Sequence, residues 1–203
     1  IVSMPFTPAV VAVLGLLSPA SAIRSPTRES GVSMNLLKSM LGVGEKKFDP
    51  PVVMGDESIM APKAHGTSAT PVQSNLKYGC DTQLADRICN FNRHYAERAG
   101  YWETTSFISE AKAASGPIDF FDANSGKLLF TAPKGRSMED FIRESRSHGW
   151  PSFRDEETNW EYVRVLGDGE CVSVDGTHLG HNLPDSSGNR YCINLVSVAG
   201  NKK

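Results

Sequence analysis

The chain has 203 residues, which sets an expectation of one or two domains. With 21 basic and 23 acidic residues its formal charge is −2, so it lacks the concentrated positive charge that nucleic acid or anionic lipid requires of a partner. Hydrophobic residues make up 39% of the chain, enough for one ordinary core, and four cysteines are too few for a disulfide-stapled scaffold.

Residues 1–22 are predicted to be a cleavable signal peptide. An apolar run over residues 9–17 is followed by the small residues of 18–22. The run is too short to span the membrane, which takes roughly 20 residues, and a short apolar run that ends in small residues is typical of a secretory signal. A buried helix is the alternative, but the prolines that flank the run disfavour it.

Residues 23–44 have the composition of an organelle transit segment. They are basic and rich in serine, and Glu29 is their only acid. A signal peptide followed directly by such a segment resembles the bipartite leader of proteins imported into the chloroplast of algae with secondary plastids. These leaders usually have an aromatic residue where this chain has Ile23, so ordinary secretion stays open as an alternative. A short amphipathic helix over residues 34–41 is compatible with either.

Residues 45–74 are predicted to be an extended linker or arm. They are rich in proline and glycine and show no sustained period of 2 or 3.6 residues. A folded domain is expected over residues 75–200, close to the usual size of a domain.

An amphipathic helix is predicted at the start of this domain, over residues 81–98. Its apolar residues recur at the spacing i, i+4, i+7 and i+11: Leu84, Ile88, Phe91 and Tyr95.

Most of the remaining domain is predicted to be antiparallel strands. Apolar runs at 118–121 and 127–131 flank a turn sequence, and runs at 162–166 and 171–174 flank another, so two hairpins are expected. A β-rich segment at 191–198 is expected to close the sheet.

Ser137 and Asp140 form a capping-box pattern that opens a second short helix. The order helix, hairpin, helix and further antiparallel strands indicates an α+β domain that is mainly antiparallel β, with an N-terminal helix and short peripheral helices.

Candidate functional residues are concentrated in the last third of the chain. The first group is GWPSF at residues 149–153, where Trp-Pro predicts a rigid turn that presents the Trp150 ring. The alternative is that Trp150 fills the core.

The second group is HLGH at residues 178–181, followed by Asp185. His178, His181 and this carboxylate have spacings that fit metal ligands, acid–base groups or simple surface residues. Cys171 lies upstream but completes no familiar metal-binding motif. Spacing alone does not choose between these roles.

The third group is RYCIN at residues 190–194. In a strand, Arg190, Cys192 and Asn194 share one face, and Tyr191 and Ile193 share the other. A guanidinium on the same face favours ionisation of the thiol to the nucleophilic thiolate. The alternative is a small buried cysteine, the commoner environment of a free thiol.

These three motifs, in this order, resemble the B-type methionine sulfoxide reductases, which carry a SelR domain and reduce the R epimer of methionine sulfoxide in proteins. The resemblance covers about residues 121–200. It implies an Mss4-like or SelR-type β-fold and makes residues 75–200 a reductase-like domain. The activity it implies is that of a peptide-methionine (R)-S-oxide reductase.

By this resemblance Cys192 is the nucleophile, and Arg190 and Asn194 are its neighbours on the strand. Attack on the sulfoxide releases methionine and leaves a sulfenic acid, which a second thiol condenses to a disulfide. Thioredoxin or a similar dithiol is the implied reductant, oxidised proteins are the implied substrates, and no bound cofactor is expected.

The resemblance also implies that His178 and His181 position a water and protonate the sulfoxide oxygen, and that Asp185 orients them. Trp150 would form the apolar wall against the substrate methyl group, with Phe153 as a second substrate-binding residue. A sulfoxide oxygen is a poor leaving group until it is protonated, so an acid is needed beside the thiol.

The chain departs from the family at its cysteines. Many members bind a structural zinc ion with two Cys-x-x-Cys pairs; this chain has none, so no metal is expected. The usual resolving cysteine precedes GWPSF, where this chain has residues 145–148 without one. Cys171 is the best substitute, with Cys80 and Cys89 second.

Two further hypotheses stay open at this point. The unusual arm and helix at residues 45–98 fit a non-catalytic subunit that keeps the fold and docks on an organelle complex, for example in the thylakoid. The histidine pair also fits a zinc protein of the same broad fold.

Overall fold

A computed structural model describes residues 47–203 of the chain. The predicted signal peptide (1–22) and transit segment (23–44) lie outside the described residues, and so does the helix considered over residues 34–41. Within residues 47–203 no helix has both the length and the apolar character that crossing a membrane requires.

The described residues contain seven strands in two antiparallel sheets. The first predicted hairpin is β1 (Ile118–Phe121) and β2 (Leu128–Ala132), which form a sheet of their own. The other five strands form one sheet in the order β3-β7-β6-β5-β4. They are β3 (Ser152–Phe153), β4 (Val163–Val165), β5 (Glu170–Ser173), β6 (His178–Asn182) and β7 (Tyr191–Ile193). Because β4 and β5 pair directly, the second predicted hairpin is confirmed as well.

Four short α-helices accompany these sheets in the same range: α1 (Thr82–Asp86), α2 (Phe107–Ala113), α3 (Met138–His148) and α4 (Leu195–Val198). Ser137 caps the start of α3 as predicted: its Oγ accepts the N–H of Asp140 at 3.1 Å, and its O–H donates to the Asp140 carboxylate at 3.0 Å in place of the backbone bond that would complete a capping box. The helix ends at Gly149, which adopts the left-handed φ of 89° that favours glycine. The predicted α+β class with antiparallel sheets is therefore confirmed.

The helix predicted over residues 81–98 is wrong beyond Phe91. It begins as predicted, because the carboxylate of Asp81 accepts the N–H groups that open α1. A π-turn over Arg87–Phe91 follows, and then Asn92 becomes extended while its Oδ1 accepts the N–H of His94 at 3.2 Å. This Asx turn diverts the chain into a loop. The later part of the predicted apolar stripe is accordingly exposed, at 59% for Phe91 and 41% for Tyr95.

The strand predicted over residues 191–198 is also wrong in its second half. β7 ends at Ile193, and the short helix α4 follows over Leu195–Val198. All four residues of α4 are fully buried, and three of them, Leu195, Val196 and Val198, are apolar. A short apolar run of this kind has no periodicity that separates a strand from a buried helix.

The core lies between the large sheet, the β1–β2 hairpin and helices α2 and α3. Aromatic rings fill it, among them Phe107, Phe120, Phe130, Phe141 and Phe153.

Residues 47–74, predicted to be extended, contain one 3-10 turn at Glu57–Met60, and just before that turn they run beside β4, the edge strand of the large sheet. The N–H of Gly55 donates to Val165 at 2.9 Å, and the N–H of Val165 donates back to Val53 at 3.1 Å. Met60 packs with Val172 and Leu166 in a small apolar cluster separate from the main core.

Candidate active site

One row of paired residues crosses the large sheet and sets up the site. Glu170 in β5 pairs with His181 in β6, which pairs with Cys192 in β7. Residues that pair directly across antiparallel strands project from the same face. A carboxylate, an imidazole and a thiol therefore share one face of the sheet.

A β-bulge brings His178 to that same face. His178 lies three residues before His181, so strict alternation would place the two imidazoles on opposite faces. The register instead shifts at Leu179, because Gly180 pairs with Cys171 while His178 pairs with Val172. The two imidazole rings consequently lie 5.8 Å apart, centre to centre, in an edge-to-face arrangement.

Five of the predicted site residues line one pocket of about 290 Å³. They are Trp150, His178, His181, Cys192 and Asn194. These five residues therefore give the pocket a thiol, two imidazoles, an amide and an indole.

The loop that replaces the end of the predicted helix forms another wall of this pocket. His94, Tyr95 and Ala96 line it on that side, and Leu183, just after β6, lines it as well. Tyr95 and Leu183 are large apolar residues that stay exposed, at 41% and 46%. The mouth of the pocket is therefore bordered by apolar surface.

Glu170 orients His178. Its Oε1 lies 2.7 Å from Nδ1 of His178, and both side chains are almost fully buried. Burial alone would raise the pKa of Glu170, but hydrogen bonds from His178 and Arg93 and their charges outweigh it and lower that pKa. Glu170 is therefore a carboxylate, which fixes a proton on Nδ1 and leaves Nε2 free for the pocket.

His181 and Cys192 are both uncharged at neutral pH. Burial, together with the neighbouring His178, lowers the pKa of His181. Burial raises the pKa of the Cys192 thiol, and the charge and hydrogen bonding of Arg190 oppose this only in part. The Arg190 guanidinium lowers the pKa of Cys192, as predicted, but burial outweighs it and Cys192 remains a thiol. A base must therefore remove the thiol proton before Cys192 can act as a nucleophile.

Glu97 holds three parts of the site together. Its backbone oxygen accepts the indole N–H of Trp150 at 2.9 Å, and its N–H donates to Oδ1 of Asn194 at 3.0 Å. Its buried carboxyl group accepts the N–H groups of Leu195 and Val196 at the start of α4. Asn194 also donates from Nδ2 to the backbone oxygen of Leu179 in β6, so both ends of its amide group are hydrogen-bonded.

Gly180 permits the close approach of β6 to β7 beside the thiol. A Cβ at this position would lie 2.0 Å from the carbonyl oxygen of Cys192. This is the physical reason for a glycine between the two histidines.

Asp185 is not beside the histidines, so the orienting role predicted for it falls to Glu170. It accepts hydrogen bonds from Arg154 at 2.8 and 3.1 Å, and these hold its pKa at about 2. Arg190 approaches it to 3.6 Å. Within the described part of the chain, Nε and Nη1 of the buried Arg190 have no hydrogen-bond partner.

Two further predicted residues lie away from the pocket. Phe153 is fully buried and stacks on Phe130 at 4.3 Å, because its neighbour Ser152, not Phe153, is the register partner of Cys192. Cys171 is also fully buried, and it shares its row with Gly180 and therefore with the core-facing Ile193. Its thiol projects from the face opposite Cys192, so a disulfide between them would require the sheet to open.

All four cysteines are free thiols. Cys80 and Cys89 are buried and unbonded to each other, and burial raises the pKa of both thiols. Of the cysteines in residues 47–203, Cys192 is the one that lines the pocket.

Among the described residues, one group away from the pocket has the composition of a metal site: Glu144, His148 and Asp185. Both carboxylates already bind the guanidinium of Arg154. A cation there would have to compete with that positive charge, so we assign no metal to this group.

Glu170 and Glu97 are two residues of the candidate site that the sequence patterns did not indicate. Glu170 carries a weak signal, since it opens the strand that pairs with the histidine strand. Glu97 carries none, because its position depends on contacts with residues about a hundred positions away.

Comparison with known protein families finds no family model that matches the chain. Comparison with solved structures finds no match either.

Proposed function

We propose that this protein reduces methionine-R-sulfoxide in proteins to methionine, with Cys192 as the nucleophile. The observation that carries the proposal is the convergence of Cys192, His178, His181 and Trp150 on one pocket. The order of the motifs that hold these residues supports the same activity through its resemblance to the B-type reductases.

The protonation states of the site suit this reaction. His181 is neutral and can accept the proton of the Cys192 thiol as the sulfur attacks the sulfoxide sulfur. An imidazole then delivers a proton to the sulfoxide oxygen as the S–O bond breaks. The oxygen passes to Cys192 as a sulfenic acid while the transient bond between the two sulfurs breaks, methionine leaves, and no net proton is gained or lost.

The lining of the pocket suits both the oxygen and the methyl group of a methyl sulfoxide. The imidazoles in the lining can protonate the sulfoxide oxygen, and the Trp150 ring can provide an apolar surface for the S-methyl group. We expect this combination to discriminate between the R and S epimers, because exchanging oxygen and methyl would separate the oxygen from its proton donor and the methyl group from the indole.

Recycling of the sulfenic acid is proposed to use an external dithiol directly. Among residues 47–203 the other thiols are buried, and Cys171 projects from the opposite face of the sheet. A thioredoxin-type dithiol would attack the Cys192 sulfenic acid, release water and form a mixed disulfide. Its second thiol would then release Cys192 as a thiol and leave the reductant as a disulfide.

The test is stereospecific reduction of dabsylated methionine sulfoxide with dithiothreitol as reductant. We expect the protein to reduce the R epimer and leave the S epimer unchanged, and Cys192→Ser to abolish turnover. Cys80→Ser is the matched control, since Cys80 is a buried thiol outside the pocket, and it should retain activity. A folded protein that reduces neither epimer would contradict the proposal and favour a non-catalytic subunit that keeps the fold.

A further inference from the structure

We propose that Arg93 is a positioning residue for this reaction, and that Glu57 in the N-terminal arm completes its network. The inference rests on the proposed function, because it assigns residues that orient His178 in the same pocket. It makes Glu57, which lies outside the domain predicted over residues 75–200, part of the catalytic unit.

Arg93 binds the carboxylate that orients His178. Its Nε and Nη2 donate to Oε2 of Glu170 at 2.8 and 2.5 Å, while Oε1 of Glu170 bonds to Nδ1 of His178 at 2.7 Å. The two oxygens of one carboxylate therefore have separate partners, one a guanidinium and the other an imidazole. Such a fork holds the plane of the carboxylate and thereby the plane of the imidazole.

The burial of Glu170 makes this clamp necessary. The Glu170 side chain is 1% exposed, so without Arg93 its charge would be compensated by His178 alone. A buried carboxylate that loses a partner must reorient, gain a proton or admit water. Each of these outcomes disturbs the hydrogen bond that fixes Nδ1 of His178.

Glu57 fixes the remaining arm of the guanidinium. Its Oε1 accepts from Nη1 of Arg93 at 2.5 Å. Glu57 opens the 3-10 turn that ends at Met60, and Met60 is buried against Val172 in the sheet. Val172 is the register partner of His178, so the arm packs next to the histidine that it helps to orient.

Arg93 also belongs to the loop over residues 92–100, which we call the pocket loop. His94 and Tyr95, the next two residues, line the pocket. One guanidinium therefore connects the arm, the pocket loop and the buried carboxylate behind His178. An ion pair confined to the surface would not contact the carboxylate that orients a pocket residue, as Arg93 does.

The test compares Arg93→Gln and Glu57→Gln with the matched control Arg146→Gln. Arg146 forms an ion pair with Glu103 at 2.8 Å, outside the pocket. We expect Arg93→Gln to lower kcat about tenfold with little change in KM, a part of the roughly 10²- to 10⁴-fold that general acid–base catalysis contributes. Glu57→Gln should lower kcat by a smaller factor, because the Glu57 side chain is exposed and reaches His178 only through Arg93 and Glu170. Arg146→Gln should leave kcat unchanged.

A second readout reports the orientation of His178 without requiring turnover. Imidazole ¹⁵N chemical shifts should show the proton on Nδ1 of His178 in the parent protein and a mixed state in Arg93→Gln. Unchanged His178 shifts and an unchanged kcat in folded Arg93→Gln and Glu57→Gln would overturn the inference. If the parent protein is inactive but Arg93→Gln still changes the His178 shifts, the reductase function is overturned and the positioning network remains in place.

Discussion

The indole N–H of Trp150 donates to the backbone oxygen of Glu97 at 2.9 Å. This hydrogen bond joins the aromatic wall of the pocket to the loop that covers it. The same loop residue binds Asn194 just after β7 and caps α4 through its carboxyl group. The position of the wall therefore depends on a loop that carries no regular secondary structure.

Trp150→Phe should weaken substrate binding while the chemistry survives. The phenyl ring keeps an apolar wall but loses the donor to Glu97, so the wall becomes less well fixed. We expect KM to rise about fivefold, which corresponds to the ~1 kcal/mol of one hydrogen bond.

Trp160→Phe is the matched control for this measurement. Trp160 is also partly buried, but within residues 47–203 its indole N–H has no hydrogen-bond partner, and it packs on Tyr191 outside the pocket. An equal KM for Trp150→Phe and the parent would show that the Glu97 contact does not position the wall.

Gly180→Ala should damage both stability and turnover. The new methyl group would lie 2.0 Å from the carbonyl oxygen of Cys192, and backbone atoms cannot move aside as a flexible side chain does. We expect the free energy of unfolding to fall by about 2–3 kcal/mol or more, together with a loss of kcat as Cys192 is displaced. Urea unfolding and steady-state kinetics measure the two effects.

Gly116→Ala provides the comparison for Gly180→Ala, because its Cβ would meet no atom within 4 Å. It should match the parent in both assays. A Gly180→Ala protein of parental stability and activity would refute the close approach of β6 and β7.

Cys171→Ser should leave turnover with thioredoxin unchanged, since the Cys171 thiol projects away from Cys192. It should lower the free energy of unfolding by about 1–3 kcal/mol, because a hydroxyl group replaces a fully buried thiol. Cys89→Ser, at an equally buried position, controls for that loss. Loss of thioredoxin-dependent turnover with dithiothreitol-dependent turnover intact would instead identify Cys171 as the resolving cysteine.

Glu97 should make the stability of the protein depend on pH near neutrality. Burial raises its pKa from an ordinary 4.5 to about 7, although the N–H groups of Leu195 and Val196 oppose the shift. A carboxyl group with a raised pKa in the folded state contributes stability that is fully present below its unfolded pKa. That contribution is lost as the pH rises through the folded pKa.

We therefore expect the free energy of unfolding to fall, on the order of 3 kcal/mol, between about pH 4.5 and pH 8 because of Glu97. Glu97→Gln has no such titration, so its stability should vary less over this range. Urea unfolding of both proteins at several pH values provides the comparison. Parallel stability profiles would show that Glu97 does not titrate in this window.

Local patterns predicted the elements whose cause is local. The hairpins follow from apolar runs flanking turn sequences, and α3 follows from the Ser137 side chain that caps its first turn. The helix over 81–98 failed because the Asx turn at Asn92 competes with the helix, while the later apolar residues, Phe91 and Tyr95, stay at the surface. An apolar stripe does not reveal whether another element covers it.

In the candidate site, too, local patterns placed some residues correctly and strand register decided the others. Period-two alternation correctly placed Cys192 on the opposite face from the buried Tyr191 and Ile193. It could not place His178 with His181, since that requires a bulge in the pairing of β5 and β6. Nor could it reveal that the orienting carboxylate is Glu170, because register decides which residue lies beside the imidazole.

By itself the sequence determined the α+β class, the antiparallel hairpins and the group of residues that includes Cys192, His178, His181 and Trp150. These follow from side-chain chemistry and from patterns a few residues long. The tertiary structure alone decided which carboxylate binds His178, which face Cys171 occupies and which loop encloses the pocket. Those relationships depend on strand register and burial, which form between residues distant in the chain and leave no local pattern to read.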